Sequence, residues 1–332
     1  SYSVKFTLGL ISGGVMIGLA EYLKEKTYMY AQILRGGGFI VWFLSIFIGS
    51  MVYALFSILT ALMLTAGVSI LSFLVSVKEK KETTFLIGIL GAYLVPLIAT
   101  SYIHDVMSIV SVLWYVSVIN IGIVLAAKSM NWIRSIGIGF FFSWVTLFLL
   151  YGDMGAIGWK IQLLFVTIYA LTYLIVCIIR DIQQSKTEKH VTFSVVLGVL
   201  NTTIYSIVAY DIVYKTMLDA YIGFLIAALA IVHFIVYLII RNETQQTNHP
   251  SALAHLVLAV ALLTASVPMQ FDGAIVTMIW FIEGVILSYL ASTKDFKGTY
   301  TMYVLGLVSM VAGIIHMGAF GQYTGVRDGS TI

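Results

Sequence analysis

The chain has 332 residues, 60% hydrophobic and only 10% charged, with a mean hydropathy of +1.01. Soluble domains carry roughly 25% charged residues, so too little polar surface is present to cover a water-soluble globule, and the lipid bilayer is the expected partner. A net charge of +3 is too small to signal a nucleic-acid partner, and a single cysteine, Cys177, excludes a disulfide framework.

A hydrocarbon core of roughly 30 Å needs about 20 apolar residues per helix. Runs of that length predict spans over residues 5–23, 29–53, 57–77, 83–100, 107–127, 133–151, 159–179, 191–211, 218–240, 251–268, 273–292 and 300–318. The runs are continuous rather than alternating, and in lipid every backbone group must be satisfied within its own element. The expected fold is therefore all-α: a polytopic membrane bundle of about 12 transmembrane helices.

Lys and Arg set the expected orientation. Lys24, Lys26, Arg35, Lys78, Lys80, Lys81, Lys128, Arg134, Arg180, Lys186, Lys189, Arg241, Lys294 and Lys297 fall on one set of loops. Lys5, Lys160, Lys215 and Arg327 are the only ones on the other. The first set is expected to face the cytoplasm, with both ends of the chain outside. An outer N-terminus that begins at Ser1 is expected of a piece of a longer protein, and the tail from Gly321 reads as a loop cut short.

Residues 1–332 are expected to form a single transmembrane domain, whose halves 1–156 and 157–320 can be laid over one another. Lys5 and Lys160 open the first and seventh spans, and Pro96 and Pro268 sit toward the outer ends of the fourth and tenth. Trp114 precedes Lys128 by the same interval as Trp280 precedes Lys294. A 6+6 parallel repeat would give this pattern. So would the bilayer alone, which favours Lys at inner ends. Terminal punctuation is the reading preferred for both prolines over a midplane break.

Four segments carry a family likeness: GLISGGVMIGLAEYLK from Gly9, LRGGGFIVWFLSIF from Leu34, GILGAYLVPLIAT from Gly88, and VPMQFDGAIVTMIWFIEGVILSYL from Val267. Together they resemble the prokaryotic domain-of-unknown-function family numbered 2339, predicted membrane proteins. The resemblance implies a multi-spanning protein of the prokaryotic inner or cytoplasmic membrane, with further spans upstream and downstream. It assigns no chemistry, and it adds weight only to Glu283 and to Gly36, Gly37 and Gly38.

Among residues that carry chemistry, Glu283 stands out. It falls near the bilayer midplane, where a carboxylate costs about 2.5–3.5 kcal/mol on insertion scales, so it should face protein or water. Trp280 lies one turn away on the same face, and Gly284 invites a close neighbouring helix. Glu283 reads either as a proton or cation site or as a neutral hydrogen-bonded group between helices. Asn120 and the run Asn201, Thr202, Thr203 sit near mid-membrane, as helix glue or, with Glu283, as the lining of a shared polar pocket. Arg35 is expected to snorkel to the interface, or else to pair with an acid such as Glu21 or Glu283.

Asp105, Asp153, Asp211, Asp219, Asp272 and Asp328, with His104, form an expected outer acidic rim. It is either the solvated edge of loops that avoid positive charge, or a source of a general base or cation ligands. His233, His255 and His316 share no motif, H-E-x-x-H is absent, and neither a cofactor nor a metal site is indicated. Three functions compete. A transporter or flippase-like carrier with Glu283 in its pathway leads. A membrane-embedded enzyme acting on envelope lipids or glycans from the outer face is the alternative. A non-catalytic scaffold contacting membrane-protein partners through its Gly-rich helices is the third.

Overall fold

The computed structural model describes residues 1–101, 105–130, 132–184, 191–216, 219–245, 249–292 and 299–325. The described residues are 91% helical, with no strand among them. Among them, twelve helices are long and apolar enough to cross a membrane. In chain order they are α1 Tyr2–Leu23, α2 Tyr28–Phe47, α3 Ile58–Glu79, α4 Glu82–Ala99, α5 Val106–Ser129, α6 Ile133–Leu150, α7 Trp159–Gln184, α8 Val191–Tyr214, α9 Ile222–Thr244, α10 Pro250–Gln270, α11 Ala274–Ser292 and α12 Thr299–Gly325. Number and order match the hydropathy reading.

Several ends differ from it, α12 most, running seven residues past 318, and two of the differences have a visible physical reason. The second span is α-helical only to Phe47 and then widens into a π-helical turn, Ile48–Val52. Gly49 admits the Phe6 and Phe56 rings there, and the Ser50 hydroxyl donates to the Phe56 carbonyl at 3.3 Å. The seventh helix runs five residues past its expected end at 179, because Arg180 and Asp181 are buried (1% and 3% exposed) rather than released to water. Pro96 and Pro268 both lie within the last turn of their helices, and the carbonyls that their missing N–H groups leave behind, those of Ala92 and Thr264, accept instead from the Tyr115 hydroxyl and the Trp280 indole N–H, each at 2.9 Å.

The helices gather into two compact units, Ser1–Val176 and Cys177–Ile332. In the first, α4 is the hub, touching α2, α3, α5 and α6. It buries Ala92, Tyr93, Val95 and Ala99 completely. The α1–α2 pair is close because of two facing glycines: a Cβ on Gly38 would stand 2.8 Å from the Gly13 carbonyl oxygen. Without a hydrophobic drive between helices in lipid, such backbone approach supplies the dispersion that holds them. The outer face of α1 shows Leu8, Ile11, Val15 and Leu19. That surface would be a liability in water and is the wanted one in lipid.

In the second unit α10 is the hub, touching α8, α9, α11 and α12. The α11–α12 pair closes through Gly284 and Gly306, where a Cβ on either glycine would meet the other's carbonyl oxygen at 2.9 Å.

Candidate functional site

Glu283 projects from α11 toward α10, half-buried. Its Oε1 lies 2.8 Å from the Thr264 hydroxyl, which also stands 2.9 Å from the Val260 carbonyl. A hydroxyl has one hydrogen. If Thr264 donates it to Val260, the carboxyl must be protonated and donate to Thr264; if Thr264 donates it to Glu283, the carboxylate can be charged. Glu283 Oε2 is buried without a hydrogen-bond partner among the described residues. Trp280, one turn earlier, donates its Nε1–H to the Thr264 carbonyl at 2.9 Å. Thr264 thus joins the two residues that helical spacing put on one face. Behind Trp280 the His316 ring stands edge-on at 5.7 Å, and Thr277 lies 2.9 Å from His316 Nδ1.

An apolar slot of about 420 Å³ begins one turn along α11 from Glu283 and is lined from α9, α10, α11 and α12 by Phe234, Leu256, Leu263, Leu287, Leu290 and Met302 among others. Its volume falls in the ordinary range of ligand sites. Leu287 is one turn from Glu283, and Leu263 adjoins Thr264. The α9 wall runs from Ala230 to Arg241, roughly 16 Å of helix. At that far end Arg241 also borders a second, more polar cavity of about 560 Å³ with Leu238, Asn242 and Gln245. A guanidinium therefore marks one end of the slot, and the other end comes within one helical turn of the Glu283 position on α11.

Residues 1–324 match the family model described as "Predicted membrane protein (DUF2339)". The chain belongs to the DUF2339 family. No curated protein and no solved structure matches it. Membership in DUF2339 makes the chain a multi-spanning membrane protein, and the chemistry has to be read from its own side chains.

The other residues singled out in this DUF2339 chain fall into separate clusters. Arg35 does not snorkel. It is 1% exposed on α2, with Nη2 3.2 Å from Glu21 Oε2 and Nη1 bonded to Glu79 Oε1. The alternative of pairing with Glu21 is the one realised, and Glu79 joins it from the end of α3. Two acids within reach make burial cheaper for the guanidinium than a stretch to the interface.

Asn120 is fully buried on α5, in the first unit. Its Oδ1 accepts from Tyr93 Oη (3.0 Å), Ser143 Oγ (2.8 Å) and Tyr173 Oη (2.9 Å), tying α4, α6 and α7 to α5. Thr202, on α8 in the second unit, is bonded at 2.8 Å to His233 Nε2, with Asn201 buried next to it. Thr264 and His255 are nine residues apart on α10, half a turn out of phase, so the Glu283 and Thr202 clusters use opposite faces of that helix.

The outer aspartates serve different local roles. Asp105 caps α5, its carboxylate accepting the Ser108 N–H at 2.9 Å. The Ser108 hydroxyl, and behind it that N–H, hold the Asp105 carboxyl below its ordinary range. A lowered value stabilises the fold above the unfolded carboxyl's range, and that contribution is lost as pH falls through the folded one. Asp105→Ala should therefore melt earlier than the parent at neutral pH, with the difference closing on acidification; a pH-independent difference would contradict the charged cap.

Asp211 pairs with Lys215 at 2.5 Å, Asp153 opens a short 3-10 turn, and Asp272 is exposed between α10 and α11. Asp105 and Asp153 belong to the first unit, Asp211 and Asp272 to the second. His104, Asp328, Lys186, Lys189, Lys294, Lys297 and Arg327, like the side chain of Asp219, lie outside the described residues. Among the described residues no three or more His, Cys, Asp or Glu gather as metal ligands.

Sequence reasoning missed the partners. The contact between His233 and His255 joins two helices, and nothing in either local sequence announces it. Tyr93, Ser143 and Tyr173 read as ordinary apolar-helix residues until Asn120 gathers them. A search for polar groups at matching depth on neighbouring antiparallel spans would have flagged both sets.

Proposed function

We propose that this membrane protein is a flippase-like carrier of anionic amphiphiles, with Glu283 exchanging a proton as the substrate passes. It is oriented with its Lys- and Arg-rich loops toward the cell interior. The observation that carries the reading is the apolar slot of the second unit, which has Arg241 at one end and the Thr264–Glu283 pair within one helical turn of the other. Acyl chains suit the leucine, phenylalanine and methionine walls, and an anionic headgroup suits the guanidinium. A carboxyl that Thr264 accommodates in either protonation state can release a proton when a charged group approaches and recover it afterwards. Among the described residues the outer aspartates offer the enzyme alternative less support, because Asp105 caps a helix, Asp211 pairs with a lysine, Asp153 opens a short turn and Asp272 stands exposed between helices.

The test is translocation of a fluorescent-headgroup phosphatidylglycerol in proteoliposomes under an imposed pH gradient. The parent chain should move the lipid faster than protein-free vesicles and respond to the gradient. Glu283→Gln should lose the gradient response and most of the rate. Arg241→Gln should reduce the preference for phosphatidylglycerol over phosphatidylcholine. Unchanged flux in Glu283→Gln would remove the acid from the mechanism. No flux from the parent chain would remove the carrier.

A further inference from the structure

A second set of polar groups lies in the second unit on the face of α10 away from Glu283. His233 on α9 and His255 on α10 are 1% and 3% exposed. Their Nδ1 atoms stand 2.8 Å apart, and the rings are stacked with centroids 5.1 Å apart. At that distance one Nδ1 must carry a hydrogen and the other a lone pair. His233 Nε2 lies 2.8 Å from Thr202 Oγ1, which itself lies 2.8 Å from the Gly198 carbonyl.

Two hydrogen patterns are compatible with the bonds between Thr202, His233 and His255. In the first, Thr202 donates to Gly198, His233 donates from Nε2 to Thr202, and His255 donates from Nδ1 to His233 Nδ1. His255 then holds its lone pair on Nε2. In the second, Thr202 donates to His233 Nε2, His233 donates from Nδ1 to His255 Nδ1, and His255 holds its hydrogen on Nε2. The rings are therefore complementary tautomers in either pattern.

The trio continues toward the end of the unit where α10 begins. Ser251 and His255 sit on successive turns of one face of α10, about 5.4 Å apart along the axis. Ser194, Gly198 and Thr202 share one face of α8, and a methyl at Gly198 would just touch His255 Cε1, at 3.7 Å. The Ser251 hydroxyl donates to the Asp181 carboxylate at the end of α7, both side chains being nearly inaccessible.

We propose that His233 and His255 form a one-proton site within the membrane span, entered from the α10 N-terminal end past Asp181 and Ser251. Starting from the first pattern, a proton from water bonds to the lone pair of His255 Nε2. The Nδ1 hydrogen of His255 is then shared with His233 Nδ1, so one positive charge spreads over two rings and nothing else is consumed. Release is the reverse. A second proton is excluded, because two positive rings 5.1 Å apart lower the second affinity by roughly two orders of magnitude.

The other titratable or charged groups on the spanning helices of this unit, among the residues whose side chains are described, are Cys177, Arg180 and Asp181 on its part of α7, Tyr205, Tyr210, Asp211 and Tyr214 on α8, Tyr237, Arg241 and Glu243 on α9, Glu283 and Tyr289 on α11, and Tyr300, Tyr303 and His316 on α12. His249, just before α10, is buried, and burial pushes it below the ordinary histidine range. The site uses none of the groups assigned to the carrier reading, and it stands if Glu283 proves silent.

The test is nitrogen NMR of the full chain in lipid nanodiscs, with ¹⁵N-labelled histidine assigned through single His→Gln replacements. Expected are complementary tautomers for His233 and His255, a through-hydrogen-bond coupling between their Nδ1 nuclei, and a single joint step on acidification that adds one proton to the two rings. Thr202→Val should leave the coupling intact while shifting the tautomer balance. Two separate one-proton steps, or rings of the same tautomer without coupling, would overturn the proposal. A coupled, complementary pair among the six histidines, with its joint step, is read from the parent spectrum, and the replacements only name its two members.

Discussion

Arg35→Gln is expected to destabilise the folded chain by about 3–5 kcal/mol, the usual result of removing one partner from a buried ion pair. The guanidinium is 1% exposed and is the ion-pair partner of Glu79, whose other carboxylate oxygen is buried without a partner among the described residues. With glutamine in its place, Glu79 must either hold an uncompensated charge between α2 and α3 or take up a proton. Glu21 suffers less, because its side chain is 51% exposed and water replaces the lost bond. The double replacement Arg35→Gln with Glu79→Gln should recover much of the loss. Thermal unfolding of the three variants in nanodiscs measures this. An Arg35→Gln protein as stable as its parent would mean that the arginine reaches the interface after all.

The second large effect is expected at Asn120. Replacement by leucine strips three hydroxyls, those of Tyr93, Ser143 and Tyr173, of a common acceptor within a site closed to water. Each buried group left unsatisfied costs about 1–3 kcal/mol. Ser143 remains within bonding distance of both tyrosines, at 2.7 and 3.0 Å, so the hydroxyls can partly satisfy one another. The net cost should be about 2–4 kcal/mol, against about 1 for Tyr93→Phe, which deletes a single donor. Turning the Asn120 amide over would offer two N–H donors to the same oxygens, so the knot survives either orientation. Equal losses in Asn120→Leu and Tyr93→Phe would show that Asn120 is not the centre of the knot.

These two sites also show what the sequence could and could not reveal. Twelve helices were legible because hydrocarbon thickness fixes the run length and lipid forbids unpaired backbone. Within one helix the period carried further. Trp280, Glu283 and Gly284 were correctly related, since 3.6 residues per turn fixes their faces whatever surrounds them. Across helices the signal failed. Asn120 finds Tyr93 27 residues away and Tyr173 53 away, while His233 finds His255 at 22, and no local rule gives the register of one span against another. Arg35 was placed by its distance from the nearest helix end. That placement overlooked Glu79, which closes α3 at the depth the arginine occupies. The π-helical turn after Phe47 was equally illegible, because it depends on the Phe6 and Phe56 rings brought to Gly49 by the fold.

Photochemical crosslinking tests the central claim, that the slot of the second unit holds an anionic amphiphile, most directly. The reconstituted chain would be irradiated in bilayers containing phosphatidylglycerol or phosphatidylcholine with a photoreactive acyl chain. Adducts are expected to concentrate at Leu263, Leu287 and Met302, richer with phosphatidylglycerol, with a preference that Arg241→Gln abolishes. Adducts spread over outward faces such as Leu8, Ile11 and Val15 of α1 in proportion to their exposure, with no headgroup preference, would contradict it.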